Sequence, residues 1–296
     1  MKKLIIPILA ALVLISCSLP ITININTPVA PTGAAATPII EIATTAAPIV
    51  ATVTPAPVFE GQELNLGGVY MVLPPCLASG ASGVIVPEEN PGADMPVFAY
   101  NPAYRKVTLT GYPLSDKFWE PIIQVYPVAR YEELVSTLTD HVAQMQQILN
   151  DHPADVQNSI PLLPIENAAQ IFHAQMSYIN FQNGQGVGFL TEYAQSYDPV
   201  NNHDLFYTFQ GLTADGSYWI SAIFPANAAY LQDSYDSTIV PADGIAAPDM
   251  NSASLETDMK TYYAAMVTKL NTTPAESFTP SLSCIKRFIQ SINIGN

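Results

Sequence analysis

The hydrophobic pattern of the chain changes near residue 59. An apolar run from Leu4 to Ile15 comes first, and a stretch rich in Thr, Ala and Pro without sustained periodicity follows it. Beyond that stretch, segments with strand and helix periodicity follow one another almost to the end of the chain. This pattern predicts a signal peptide over residues 1–16, a disordered linker over residues 17–58 and one folded domain over residues 59–296.

Strand patterns dominate the predicted domain. Alternating or short apolar runs predict seven strands, and the last four form two hairpins that turn at Asn183-Gly184 and Asp215-Gly216. These dipeptides favour hairpin turns because glycine accepts a positive φ. Residues 78–96, rich in Gly, Pro and acids, predict a loop. The predicted strands span residues 66–73, 104–112, 122–128, 171–182, 187–193, 205–212 and 218–224.

Apolar residues at spacings of three and four predict three helices. The first lies between Pro127 and Pro153 and places His141 and Gln144 on its polar side. The second covers residues 255–270, and the third follows Thr279 as a helix N-cap. Hairpin strands with helices grouped around them predict an α+β fold, with a largely antiparallel sheet and about three packing helices.

The charge of the chain is strongly acidic. The part from Cys17 onward keeps eight of the ten basic residues and all 25 acidic ones, which gives a formal charge of −17. Nucleic acids and anionic lipid headgroups need clustered Lys and Arg. The sequence therefore predicts no nucleic-acid partner.

The first residues combine three features of an export signal. Lys2 and Lys3 are positive, the apolar run that follows is shorter than the roughly 20 residues of a membrane span, and Ser16 directly precedes Cys17. This arrangement resembles the lipobox of bacterial lipoproteins. The resemblance implies a palmitate-type lipid anchor on Cys17 and an extracytoplasmic location at the cell membrane or outer membrane. An ordinary secretory signal or an anchor helix with a chance cysteine is the alternative.

The order of elements resembles the Mog1/PsbP-like α/β sandwich. The resemblance begins with the opening strand Gly67–Pro74 and continues through early strands, a helix, a meander and a closing helix. It covers the domain only as an order of elements, and a second C-terminal helix departs from the simplest version. That fold hosts binding and accessory proteins more often than enzymes, so the resemblance implies a binding or accessory role.

Two cysteines remain after Cys17. In an exported protein Cys76 and Cys284 can form a disulfide that joins the two ends of the domain. Two buried, unpaired thiols are the alternative. Neither cysteine has the sequence context of a nucleophile.

The segment from Asp198 to Asp204 is the densest group of polar chemistry. It includes Asn202, His203 and Asp204 at the entry to a strand, where oxygen atoms could hold a cation or His203 could act as a base. The alternative is a loop whose Asn and Asp side chains satisfy its own backbone. No zinc or EF-hand spacing occurs, so we predict no metal site and no cofactor.

A second candidate site is a polar row on a predicted sheet face. His173, Gln175 and Ser177 alternate along one strand, and Thr208, Gln210 and Ser221 could extend the row across neighbouring strands. With nearby tyrosines, such a face could bind a sugar or a peptide. The alternative is a sheet face that is only exposed to solvent or partly covered.

Acidic residues elsewhere carry no family motif. Glu120, Glu166 and Glu192 lie beside apolar segments, where paired carboxylates could serve hydrolysis. A late loop carries four aspartates and predicts a solvated surface, with weak calcium binding as the alternative. The four are Asp233, Asp236, Asp243 and Asp249.

No recognisable catalytic motif occurs in the chain. We therefore expect a non-catalytic binding or envelope accessory domain whose ligand is a carbohydrate, a peptide or an envelope protein, and we predict no catalytic residue. The alternative is an exported hydrolase without a recognisable motif. That alternative predicts a cleft in which two of four side chains converge within hydrogen-bond distance, namely His173, Glu192, His203 and Asp204.

Overall fold

The computed structural model describes residues 58–92 and 94–295. The predictions for Cys17, for the signal peptide and for the linker up to residue 57 lie outside these residues. The strands are β1 Gln62–Leu66, β2 Val69–Leu73, β3 Gly80–Val86, β4 Tyr104–Thr110, β5 Ile122–Pro127, β6 Ala169–Gln170, β7 Ala174–Phe181, β8 Gly184–Thr191, β9 Tyr193–Ala194, β10 Phe206–Thr213, β11 Tyr218–Pro225, β12 Asn227–Ala228, β13 Phe278–Thr279 and β14 Asn293–Ile294. The helices are α1 Val128–Leu134, α2 Leu138–Asp151, α3 Leu255–Thr272 and α4 Leu282–Gln290.

A seven-stranded sheet in the order β3-β4-β5-β11-β10-β8-β7 forms the centre of the domain. Every neighbouring pair in it is antiparallel. Smaller sheets join β1, β2 and β14, then β12 with β13, and β6 with β9. The predicted α+β fold with a largely antiparallel sheet is therefore confirmed.

Helices cover both faces of the large sheet because its central strands are apolar on both sides. One face presents residues such as Phe209 and Ala222 to the apolar stripes of α3 and α4. The other presents residues such as Phe189 and Trp219 to α1 and α2. Because both faces of the sheet are covered, every residue of the central strand β10 is buried. Within the described residues, none of the helices has the length and apolar character that a membrane span requires.

The predicted first helix is divided into α1 and α2. Val135 is extended at φ −131° and packs into the core, and Ser136 and Thr137 follow it. These residue types have low helix propensity, so a break there costs little. The described part of the chain therefore has four helices, one more than the sequence predicts. The last of them begins after Ser281, whose side chain accepts a hydrogen bond from Cys284 N at 3.1 Å, rather than after Thr279.

The structure also differs from the sequence prediction at the start of the domain. Gly67 and Gly68 have φ of 63° and 85°, so they form a hairpin turn between β1 and β2 instead of continuing one strand. Residues 80–86, which fall in a predicted loop, form the edge strand β3. Most of that strand is exposed, and therefore its sequence lacks the apolar alternation that identifies a half-buried strand.

Cys76 and Cys284 form the predicted disulfide, 208 residues apart in sequence. It ties the segment after β2 to α4, near the two ends of the described chain.

Candidate functional site

The Asp198–Asp204 segment is a loop that satisfies its own backbone. Asn201 Oδ1 accepts hydrogen bonds from the backbone N–H groups of His203 and Asp204 at 3.0 and 3.1 Å. Asn201 Nδ2 donates to Asp204 Oδ2 at 2.9 Å. This is the alternative that the sequence left open, in which the polar side chains cap the loop.

Asn202 fixes this loop to the next part of the chain. Its Oδ1 accepts a hydrogen bond from Ala228 N, and its Nδ2 donates to the carbonyl groups of Ala228 and Leu231. The side chain is buried and fully used in these contacts, so it has a structural role.

Three of the four groups that the hydrolase alternative names are connected at this loop. His203 Nδ1 lies 2.6 Å from Asp204 Oδ1. The buried Glu192 accepts a hydrogen bond through Oε1 from Asn201 N at 2.9 Å. Burial raises the pKa of Glu192 well above its ordinary value, and the charges of Asp204 and Asp198 add to the rise. Two of the four groups that the hydrolase alternative names, His203 and Asp204, thus lie within hydrogen-bond distance. They are neighbours in sequence, and neither lines the cavities described below.

The predicted polar row is not continuous, because β7 contains a bulge. Ala174 pairs with Leu190 and Ser177 pairs with Gly188, which leaves one extra residue between them. Gln175, at φ 54°, turns its side chain to the end of α3, where Nε2 donates to Leu270 O at 2.7 Å. A residue that breaks the alternation moves every later side chain to the opposite face.

The remaining members of the row lie on opposite faces of the sheet. Ser177 Oγ lies 3.3 Å from the hydroxyl of Tyr207, on the face that α3 and α4 cover. Gln210 is buried on the other face, where its Oε1 accepts hydrogen bonds from Leu163 N and Trp219 Nε1. Thr208 and Ser221 bond to the same amide of Gln210. The prediction that these residues form one row is wrong.

His173 lies just before β7 and faces a different partner. Its Nε2 is 2.9 Å from Asp155 Oδ1, and its ring lies edge-on to Phe189. Among the described residues, no group of three or more His, Cys, Asp and Glu side chains is placed to hold a metal ion.

A polar groove crosses the surface between α2 and α3, and His173 is part of its wall. We use this name for three adjacent cavities of about 300, 410 and 360 Å³. The first two share Ser159 and Gln170, and the third shares Ala169 with the first, and Ile171 and Tyr263 with the second. The titratable side chains of the groove are His141, Asp155, Glu166, His173, Tyr193, Tyr197 and Tyr263.

Hydrogen bonds hold the walls of the polar groove in place. Gln144 Nε2 donates to Ser159 O at 3.0 Å, which joins α2 to the segment that follows it. Gln170 Oε1 accepts from Ile160 N at 3.0 Å, and its Nε2 donates to the hydroxyl of Tyr193 at 3.1 Å. Three side chains, from α2, β6 and β9, and the backbone of residues 159 and 160 are thereby fixed around the first cavity.

Tyr263 connects the groove to the Asp198–Asp204 loop. Its hydroxyl donates to Asp198 O at 2.9 Å and accepts from Asp198 N at 3.2 Å. Burial raises the pKa of Tyr263 to about 12. The hydroxyl therefore stays protonated at neutral pH and acts as a neutral hydrogen-bonding group.

A larger cavity of about 520 Å³ lies beside Cys76, but few polar side chains line it. Its lining consists mainly of Pro74, Pro75, Val72 and the chain from residue 58 to residue 61, with Arg287 at one side. Volume alone does not identify a binding site; convergent polar groups in a concave surface do so better. We therefore take the polar groove as the candidate site.

Of the six ligand-binding residues predicted from the sequence, only His173 lines the groove. Gln175, Ser177, Asn202, His203 and Asp204 are absent from the lining of its three cavities. The sequence signals for the groove were weak: the polar side of the first helix contains His141 and Gln144, and Glu166 stands beside an apolar segment. No signal pointed to Tyr193.

Comparisons with protein-family models, with curated proteins and with solved structures give no match for this chain. No relative therefore supplies a role for any residue of the groove. The resemblances to bacterial lipoproteins and to the Mog1/PsbP-like sandwich stay expectations.

Proposed function

We propose that this chain is a lipid-anchored, extracytoplasmic binding protein. The lipobox that ends at Cys17 supports the anchor, and the Cys76–Cys284 disulfide fits an oxidising compartment. Metabolic labelling with a fatty-acid probe tests the anchor: the protein should carry the label and the Cys17→Ala variant should not. An unlabelled wild-type protein in a strain that labels other lipoproteins would contradict the anchor.

The proposed ligand is an oligosaccharide, and the polar groove is its proposed site. The observation that carries this proposal is the continuity of three cavities whose walls combine tyrosine rings with amide, imidazole and carboxyl groups from several segments. Tyrosine presents an apolar face and a polar hydroxyl, which suits the mixed CH and OH surface of a sugar. None of the lining residues of the three cavities is Lys or Arg, so an anionic ligand is disfavoured.

A peptide ligand fits the groove less well. Extended peptides gain affinity by adding a strand to an exposed sheet edge. The strands that line the groove are β6 and β9, which are two residues long and pair with each other. They leave little backbone for a peptide to bind.

Calorimetric titration of the purified protein with a panel of oligosaccharides tests the proposal. Tyr197 lines the groove and is 38% exposed, so Tyr197→Ala should weaken sugar binding by about tenfold, as loss of one aromatic contact implies, without unfolding the domain. Tyr235, 57% exposed and absent from the groove lining, provides the control Tyr235→Ala. Equal effects of the two substitutions, or no binding of any sugar in the panel, would contradict the proposal.

A further inference from the structure

The strand β3 is a free edge of the seven-stranded sheet. It pairs with β4 along its whole length, from Gly80 to Val86, and it stands at the end of the strand order. Within the described residues, no strand pairs with its other side. One row of its backbone N–H and C=O groups is therefore unpaired, and such a row can pair with a strand of another chain.

β3 lacks the features that keep an edge strand from pairing with another chain. Natural proteins protect such strands with charged side chains, prolines, bulges or short length. β3 has seven residues, of which none is charged and none is proline, and its pairing with β4 has no register shift. By contrast, the opposite edge β7 has a bulge, where Gln175 bonds to α3, and the five-residue edge strand β1 has the charged Glu63. Of these three edges, β3 is the unprotected one.

Exposed apolar side chains gather on the hairpin of β3 and β4. Val84 and Ile85 are 59% and 73% exposed, and they point to opposite faces of the strand because neighbouring residues alternate. The segment that connects the two strands exposes three further apolar side chains, namely Met95, Val97 and Phe98. Apolar side chains that are exposed together mark an interaction surface, whereas single ones need no explanation.

β3 is also a position where two copies of the chain can approach each other despite their negative charge. The strand is uncharged, and the two acidic residues that follow it are engaged. Glu88 forms an ion pair with Arg130 at 2.6 Å, and Glu89 Oε2 accepts a hydrogen bond from Asn101 Nδ2 at 3.1 Å. Exposed charges more than about 8 Å apart are largely screened at physiological ionic strength. The acidic charge of the chain therefore does not prevent contact at this edge.

The sequence of β3 is complementary in shape to itself when two copies of the strand run antiparallel. Residues 80–82 are Gly, Ala and Ser, whereas residues 84–86 are Val, Ile and Val. A two-fold axis at Gly83 gives the register in which all seven residues pair, and it places each bulky side chain opposite a small residue of the second copy. The facing residues are Val84 and Ser82, Ile85 and Ala81, and Val86 and Gly80. The same strand thus supplies both halves of a closed, two-fold interface.

We infer that the occupant of this edge is a second copy of the chain, paired antiparallel through β3 around Gly83. Backbone hydrogen bonds between the two strands then join the two seven-stranded sheets into one, and the exposed Val84 and Ile85 become partly covered. Stable interfaces bury about 800 Å² on each partner, and one pair of strands buries less. The dimer is therefore a reversible one with a dissociation constant in the micromolar range. It does not depend on sugar binding in the polar groove.

Sedimentation velocity tests the dimer with the chain from residue 17 onward, in which Cys17→Ser prevents attachment of a lipid. The protein should change from monomer to dimer as its concentration rises through the micromolar range. Ile85→Lys places a charge on the edge and should weaken the dimer by about tenfold or more. Ile239→Lys is the matched control, because Ile239 is 76% exposed, lies outside the hairpin and gives the same change in net charge. The control should dimerise like wild type.

Cysteine cross-linking tests the register of the two strands. Ser82 of one copy faces Val84 of the other, so a mixture of the Ser82→Cys and Val84→Cys variants should form an intermolecular disulfide on oxidation. Each variant alone should form little, because two identical positions lie diagonally across the axis, beyond the Cα separation that a disulfide spans.

The outcomes decide the inference without reference to the function of the groove. A wild-type protein that stays monomeric at every concentration would overturn it and would leave a strand of a different protein as the occupant. Equal dimerisation of the Ile85→Lys and Ile239→Lys variants would overturn the assignment of the interface to β3. Efficient cross-linking of the Ser82→Cys variant with itself would overturn the pairing around Gly83. The wild-type measurement does not depend on how the variants fold.

Discussion

Glu192 is the most deeply buried acidic residue among those that the structure describes. It is 2% exposed, and Asn201 N donates to it. Burial raises its pKa well above the ordinary value, because desolvation disfavours the charged carboxylate. The hydrogen bond from Asn201 N joins this carboxyl group to the Asp198–Asp204 loop.

The raised pKa of Glu192 predicts how the stability of the domain depends on pH. The folded pKa of Glu192 is above the unfolded value of about 4.3, so its contribution is fully present below that pH and is lost as the pH rises toward the folded pKa. Glu192→Gln keeps an oxygen acceptor for Asn201 N and removes the titration. We expect the variant to have a higher Tm than wild type at neutral pH and an equal Tm at low pH. A variant that is less stable at neutral pH would show that the carboxylate form is needed.

Single residues were predictable from the sequence where local geometry decides their role. Gly216 has φ 72° in the predicted hairpin turn, and the Cys76–Cys284 pair is bonded as expected. Gly184 is different: its φ is not in the positive region, and a Cβ there would collide with Leu212 O and the ring of Phe181. Glycine is needed at this position because other atoms approach closely, and a sequence pattern does not contain that information.

At the scale of elements, the bulge in β7 has the largest effect on the site. It rotates Gln175 away from the strand and toward the C-terminal end of α3. Its Nε2 also donates to Thr273 O at 2.8 Å, and Asn271 Oδ1 accepts a hydrogen bond from Gln175 N at 2.6 Å. One side chain thus donates to two carbonyl groups at the C-terminal end of α3, where a helix leaves its last carbonyl groups without i+4 partners.

The contacts between β7 and α3 therefore predict that two substitutions of Gln175 differ in their effect on stability. Gln175→Ala removes the side-chain hydrogen bonds and keeps a side chain at φ 54°, so we expect a loss of about 1–2 kcal/mol in the free energy of unfolding. Gln175→Gly removes the same bonds but relieves the left-handed backbone strain of about 1 kcal/mol. Urea denaturation should show that the Gly variant is the more stable of the two. Equal stabilities would contradict the strained conformation at residue 175.

Elements were predictable where burial imposes a clear period. The hairpins of β7 with β8 and of β10 with β11, and the helices α3 and α4, follow their apolar patterns. The strand β3 could not be predicted in this way, because an exposed edge strand needs no apolar alternation. The break between α1 and α2 could not be predicted either, because it depends on what Val135 packs against.

At the scale of the whole molecule, the polar groove is a product of tertiary structure. Its walls come from α2, from the segment of residues 155–173, from β9 and the residues after it, and from α3. Tyr193 and His141 are far apart in sequence and meet only because α2 and β9 pack on the same side of the fold. The acidic composition predicts no nucleic-acid ligand, but no local pattern could place these side chains together.

The disulfide also acts at this scale. It joins residues 208 positions apart, and in the chain-entropy model a loop of that length restricts the unfolded state by up to about 5 kcal/mol. The double variant Cys76→Ser, Cys284→Ser should therefore lose several kcal/mol in the free energy of unfolding, measured by urea denaturation. Wild-type protein treated with a reductant should lose a similar amount. Unchanged stability in both cases would contradict the bond.

The most direct test of sugar binding in the polar groove is a map of the residues that respond to a sugar. In NMR titration of the isotopically labelled protein with each oligosaccharide of the panel, at least one sugar should make the amide signals of Ser159, Glu166, Gln170 and Tyr193 shift together and saturate. Shifts centred on the His203–Asp204 loop, or a spectrum that every sugar of the panel leaves unchanged, would contradict a sugar-binding site in this groove.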